Sequence, residues 1–316
     1  MTKAMKYREF FLSNGFYLLC IIVIVIFSCL NRSFFTIENF FSILLASAFL
    51  CATTAGVTPV IISGNMDLSV GSTALLCAGV MYQSFHLGMP DSVTLLLGIL
   101  AGAVVGLING ILVAKLKFNS MVLTLGLQIG YRGLGLMLIG GTQVKLPEAF
   151  SVFGKKTIPG GLNVMVVICL LVMLVLHVIL KRTKFGTYCY AIGCSETASE
   201  RVGIPIAKVK IAAFIISGVC AALAGFVVIS RLGIAHSYIG KKMEFDAIEA
   251  AVIGGISLNG GRGNLLPGAL LGVFLIYVIN NGLSIIGASE YVYPFAQGII
   301  VFVAMYLDAL KNFRNK

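Results

Sequence analysis

The ten residues Ser63-Gly64-Asn65-Met66-Asp67-Leu68-Ser69-Val70-Gly71-Ser72 hold the side chains best placed to do chemistry inside an otherwise oily polypeptide. They set a carboxylate among small and polar residues, at the junction of two apolar runs, 40–62 and 68–85. Backbone of this kind survives at membrane depth only where protein buries it or water reaches it. An ionisable group there points to a substrate or ion route. Gly64, Asn65, Asp67, Ser69 and Gly71 are therefore candidates for lining or gating a path. Two other readings stand beside that one: a short cytoplasmic turn with a solvated Asp67, or a turn that the carboxylate holds together by accepting backbone N–H bonds.

A second break, Gly254-Gly255-Ile256-Ser257-Leu258-Asn259-Gly260-Gly261-Arg262-Gly263-Asn264, adds Gly255, Ser257 and Asn259 to the candidates. Paired Gly interruptions in two parts of a membrane chain are a pointer to a transport pathway. A third feature is polar. Within 181–210, Ser195-Glu196-Thr197-Ala198-Ser199-Glu200-Arg201-Val202-Gly203 reads as a short helix. Thr197 and Glu200 have capping-box spacing, with Ser195 as an alternative start, while Gly203 suits the C′ position and Pro205 bars continuation. Such a helix either inserts into a groove of a cytoplasmic partner or is a solvated loop.

Other chemistries are missing from the sequence. Gly154-Lys155-Lys156-Thr157 imitates the tail of a phosphate-binding loop, but Ala149 stands where its first glycine belongs and Lys156 where a lysine should already have given way to Ser or Thr. The chain should bind no nucleotide itself. Cys20, Cys29, Cys51, Cys77, Cys169, Cys189, Cys194 and Cys220 form no CxxC, and His86, His177 and His236 form no cluster, so no metal site is expected. No catalytic constellation appears, and the chain is not expected to be an enzyme.

The elements that must position these residues follow from composition. Of 316 residues, 59% are hydrophobic and 11% charged, against roughly 25% charged in a soluble domain. Apolar runs fall at 16–31, 40–62, 68–85, 92–114, 118–139, 162–180, 208–230, 246–258, 265–283 and 292–310. The expected fold is all-α: a single polytopic membrane domain over 1–316 with about ten transmembrane helices, the eighth too short to cross unaided. The first run follows Lys3, Lys6 and Arg8 without a cleavage site and reads as an uncleaved span.

The net charge of +11 would suggest nucleic acid in a soluble protein, but here it records topology, and no nucleic-acid partner is expected. Lys3, Lys6, Arg8, Lys115, Lys117, Lys181, Arg182, Lys184, Arg201, Lys208, Lys210, Arg262, Lys311, Arg314 and Lys316 map inside. Arg32, Lys145, Lys155, Lys156, Arg231, Lys241 and Lys242 map outside, and Arg132 stays within the membrane. Both termini are thus expected in the cytoplasm. Gly98, Gly102, Gly106 and Gly110 form a stripe that should touch another helix, and Gly126/Gly130 and Gly268/Gly272 repeat the spacing.

On these residues the chain closely resembles the membrane permeases of bacterial ABC importers for ribose, xylose, galactose and autoinducer-2, with the ribose type nearest. The likeness covers about 42–308. It rests on Ile61-Ile62-Ser63-Gly64-Asn65-Met66-Asp67-Leu68-Ser69-Val70-Gly71-Ser72, where Asn65 and Met66 depart from the family's second glycine and its neighbour. It rests also on Val122-Leu123-Thr124-Leu125-Gly126 with Tyr131-Arg132-Gly133, and on Arg182-Thr183-Lys184-Phe185-Gly186 leading to Gly193 and Gly203-Ile204. The last stretch is Asp246-Ala247-Ile248 through Gly263, after which Pro267 is unusual.

The resemblance implies a bacterial plasma-membrane protein that pairs with a second permease subunit, identical or different. It also implies a pair of cytoplasmic ATPases carrying ATP and Mg, and an external sugar-binding protein. The segment holding Ser195, Glu196, Thr197, Ala198, Ser199, Glu200, Arg201 and Gly203 becomes a coupling helix that docks on the ATPase. An ion-coupled transporter or channel using Asp67 is the alternative.

Overall fold

The computed structural model describes residues 3–141, 143–146, 148–289 and 291–313; Arg314 and Lys316, expected inside, lie outside the described residues. Helices occupy all ten apolar runs: α1 (Lys3–Leu30), α2 (Ile37–Ile62), α3 (Val70–His86), α4 (Asp91–Ala114), α5 (Ser120–Leu138), α7 (Val164–Arg182), α10 (Ile206–Leu232), α11 (Met243–Ile253), α12 (Leu270–Ile285) and α13 (Val292–Phe313). Three short α-helices lie between them, α6 (Glu148–Lys155), α8 (Lys184–Cys194) and α9 (Glu196–Arg201), and a 3-10 turn at Arg32–Phe35 joins α1 to α2. Strands β1 (Val144–Lys145) and β2 (Ile234–Ala235) pair antiparallel beside the start of α6 and the end of α10.

Among the described residues, six helical stretches are long and apolar enough to cross a membrane, rather than ten: α2, α4, α5, α7, α10 and Leu265–Ile285. The difference has a physical cause in α3 and α11, which have 17 and 11 residues. Both fall short of a full crossing, and irregular backbone lies next to each, before α3 and after α11.

Helix α10 is the axis of the domain, touching α2, α3, α4, α6, α8 and α9. Small residues let it sit close. A Cβ on Gly102 would run into the Gly218 carbonyl, and one on Gly218 into the Gly102 carbonyl. Gly106 meets the backbone of Phe214 and Ile215, Gly110 meets Ile211, and Gly98 takes the side chain of Met81 on α3. The stripe on α4 is thus a helix-packing surface, filled by α10 and α3. Lipid tails supply no apolar drive between helices, so backbone proximity of this kind holds them together.

Gly268 and Gly272 also pack, against the Gly254 and Ala250 carbonyls. Gly126 and Gly130 do not, for a Cβ at either would meet nothing within 4 Å. The reason is rotational. Thr124, Tyr131 and Gly135 are the buried residues of α5, with Gly135 against Leu75 of α3, and the glycine pair faces the other way. Before α12, the segment Leu265–Ala269 forms a wide π-type turn with extended φ/ψ at Leu266, so the span that holds Pro267 starts irregularly.

Candidate functional site

Helix α2 ends in a break whose depth α10 measures. A Cβ on Gly56 would strike Cys220 and approach Ser217. The same Ser217 donates its hydroxyl to Asp67 Oδ2 at 2.8 Å. Gly56 and Asp67 therefore lie at one level. Between them the chain descends from Gly56 to Ile62, about 9 Å at 1.5 Å per residue, and climbs back before α3 begins. Asp67 is only 2% exposed, so the reading of a cytoplasmic turn with a solvated carboxylate fails.

Protein satisfies the irregular backbone, as hydrocarbon demands. The amides of Ser63, Gly64 and Asn65 donate to the Pro59, Ile61 and Val60 carbonyls. The Met66 amide reaches Ser120 Oγ at 3.1 Å, and the Leu68 amide reaches Thr124 Oγ1 at 3.0 Å, both on α5. Asp67 Oδ1 accepts from the Ser69 amide at 3.1 Å and from its hydroxyl at 2.6 Å. Asn109 of α4 donates to Ser69 Oγ at 2.8 Å, and Tyr131 of α5 donates to Asn109 Oδ1 at 2.9 Å. One chain of hydrogen bonds thus runs Tyr131–Asn109–Ser69–Asp67–Ser217 and ties α5, α4, the break and α10 together. The carboxylate acts as a buried acceptor that organises a turn.

The two breaks meet. The Gly261 amide donates to the Ile62 carbonyl at 2.9 Å, and Gly260 lies against Gly64. Gly193, near the end of α8, is wedged between the Ile62 carbonyl and the Gly261 amide. Tyr190 of α8 also donates to the Gly263 carbonyl at 2.8 Å. Three segments thus share one glycine-built junction, and α9 follows it directly. The positive φ values of Gly64, Gly260 and Gly261 (77°, 81° and 70°) are of the kind that non-glycine residues rarely adopt.

The candidate path residues divide into two sets. Asn65, Asp67, Ser69 and Gly71 are buried in protein contacts, with Gly71 pressed on the Gly240 carbonyl. Gly64, Gly255 and Asn259 are exposed, and Ser257 is partly so. Above the break, Gln128 donates to buried Glu244 at 2.6 Å. Arg132 donates to the Ser237 and Ile239 carbonyls at 3.0 and 3.4 Å, clasping the loop before α11.

Helix α9 is capped by Ser195, whose hydroxyl accepts from the Ala198 amide, rather than by a Thr197–Glu200 box. Thr197 stands inside the helix because Ser195 already holds the extended φ/ψ that an N-cap needs. At the other end Gly203, with φ 79°, donates to the Glu200 carbonyl, and the Ile204 amide bonds to the Ser199 carbonyl. Ser199 is buried, whereas Thr197, Ala198, Glu200 and Arg201 are exposed and Val202 is 76% exposed. Glu196 is tied inward, to Lys210 of α10 at 2.7 Å.

Sequence reasoning did not single out Asn109 or Ser217, and it named Tyr131 and Gly193 only as carriers of the resemblance and Lys210 only for topology. For Asn109 and Ser217 a signal existed: each is a polar residue well inside an apolar run.

The family described as branched-chain amino acid transport system / permease component matches residues 39–305. The ribose import permease protein of Escherichia coli K12 is 33% identical over 92% of both chains. That of Bacillus subtilis is 36% identical over 92% of this chain and 91% of its own. The autoinducer 2 import system permease protein LsrC of Photorhabdus laumondii is 35% identical over 89% and 84%. No solved structure matches. With six apolar spans among its described residues and this family match, the chain is a multi-pass inner-membrane protein. The re-entrant break, the glycine-packed helices and these likenesses together lead to one identification: this chain belongs to the family of permease components of branched-chain-type transport systems.

Proposed function

We propose that this chain is the membrane-spanning subunit of an ATP-driven importer that carries ribose or a related monosaccharide into the cytoplasm, with both termini inside. The junction of the two breaks with α8 carries the reading, because only Cys194 and Ser195 separate Gly193 at that junction from the exposed helix α9. A partner ATPase gripping α9 would pull on both breaks at once. The ATP and Mg²⁺ would sit on that partner, a pair of which would serve two permease subunits. An external binding protein would deliver the sugar.

A sugar suits the site better than the amino acid in the family's description. Ser257 and Asn259, at the accessible end of the breaks, match hydroxyl groups, and the exposed Arg262 is the one charge on that stretch. An amino acid's ammonium and carboxylate would call for opposing charges, and Asp67 is already occupied by Ser69 and Ser217. The same occupation argues against Asp67 as an ion-coupling group.

Co-purification tests the reading. The variant Glu200→Ala, Arg201→Ala, Val202→Ser removes exposed groups of α9 and its C-cap and leaves Glu196 on Lys210. Recovery of the ATPase with the permease should fall about tenfold or more, the loss of a small binding hot spot. Undiminished recovery would remove α9 from the ATPase interface.

A further inference from the structure

We infer that Lys210 and Glu196 form a strut that fixes α9 to α10, so that movement of the partner-facing helix is passed to the Asp67 break along a rigid rod. The inference rests on the proposed ATP-driven function and deepens it. Lys210 is 8% exposed, and its Nζ lies 2.7 Å from Glu196 Oε2, the one salt bridge found among the described residues. The Glu196 side chain remains 56% exposed, so its carboxylate reaches inward from the cytoplasmic surface.

Position along α10 gives the pair its meaning. Ser217, which holds Asp67, follows Lys210 by seven residues. Seven residues are nearly two turns, so the two side chains leave one face of the helix about 10 Å apart. Phe214, between them on that face, is fully buried and locks α10 in its neighbours. Without the strut, α9 would be held by the main chain at Gly193–Ser195 and Gly203–Pro205 and by packing around buried Ser199, with no ionic link to α10. With the strut, α9 has a side-chain link to α10 beside its main-chain link to the glycine junction. Glu196 is therefore a positioning residue, distinct from the exposed Glu200, Arg201 and Val202 that would meet the partner.

The test uses the full complex in vesicles and counts sugar imported per ATP hydrolysed. Lys210→Met and Glu196→Gln should each lower that ratio about tenfold, within the range of coupling between linked sites. The ATPase should still co-purify in wild-type amount and continue to hydrolyse ATP. Since the two residues act as one element, the double variant should be no worse than either single variant. The inference is overturned if the ratio is unchanged, if uptake and hydrolysis fall together, or if the two defects multiply. A wild-type complex with no ATP-dependent uptake would overturn the functional reading and the strut with it, an outcome the wild-type arm identifies separately.

Discussion

Gly193→Ala is expected to abolish uptake while leaving the chain in the membrane. A Cβ at Gly193 would fall inside the van der Waals surface of the Ile62 carbonyl and the Gly261 amide, and close to the Gly260 backbone. None of these is a side-chain tip that could swing away. Making room would part Gly261 from Ile62 and break the hydrogen bond that joins the two breaks. Overpacking costs typically 1–3 kcal/mol, and a buried carbonyl left without its donor about as much again. Uptake should drop more than tenfold and the thermal midpoint by several degrees. Gly298→Ala in α13, where a Cβ meets nothing, should change neither. Uptake near wild type in Gly193→Ala would mean that the glycine junction is not where motion enters the membrane domain.

Asp67→Ala and Asp67→Asn should behave differently, and the difference separates a structural carboxylate from an ion carrier. Alanine leaves the Ser69 and Ser217 hydroxyls facing each other with no acceptor between them. Interhelical hydrogen bonds in membranes average about 0.6 kcal/mol and reach about 1.7. Three lost acceptor contacts in a packed turn should therefore lower stability by roughly 2–4 kcal/mol. Asparagine keeps an oxygen for Ser69, and its amide can donate to the Ser217 hydroxyl, which accepts as readily as it donates. Uptake by Asp67→Asn should then stay within about tenfold of wild type, a 1.4 kcal/mol penalty, and still depend on ATP. Full loss of uptake in Asp67→Asn with unchanged thermal stability would instead identify Asp67 as a coupling group.

How much could be read from the sequence depended on range. The α4 stripe was legible because Gly98, Gly102, Gly106 and Gly110 repeat with the helix itself, and such a face must meet something. That the partners would be α10 and α3 was not, since the residues that fill the stripe lie elsewhere in the chain. Gly126 and Gly130 show the limit of the same rule, because spacing defines a face but not its direction. The break around Asp67 was visible as polar residues among apolar ones, yet its depth became clear only when Ser217, 150 positions away, was seen to hold the carboxylate. The short α9 was readable from its stop at Gly203 and Pro205. Its start was ambiguous because Ser195 and Thr197 are both good caps, and backbone geometry chose between them. The Lys210–Glu196 pair had no local signature, since a charge at each end of a loop looks like ordinary solvation.

Reconstitution of the purified permease in sealed vesicles, with the cognate binding protein outside and with or without the ATPase inside, addresses the central claim. Labelled ribose should accumulate only when the ATPase and ATP are both enclosed, and dissipating the ion gradient should leave that accumulation unchanged. Ribose entering vesicles that hold the permease alone, driven by an ion gradient, would contradict the account.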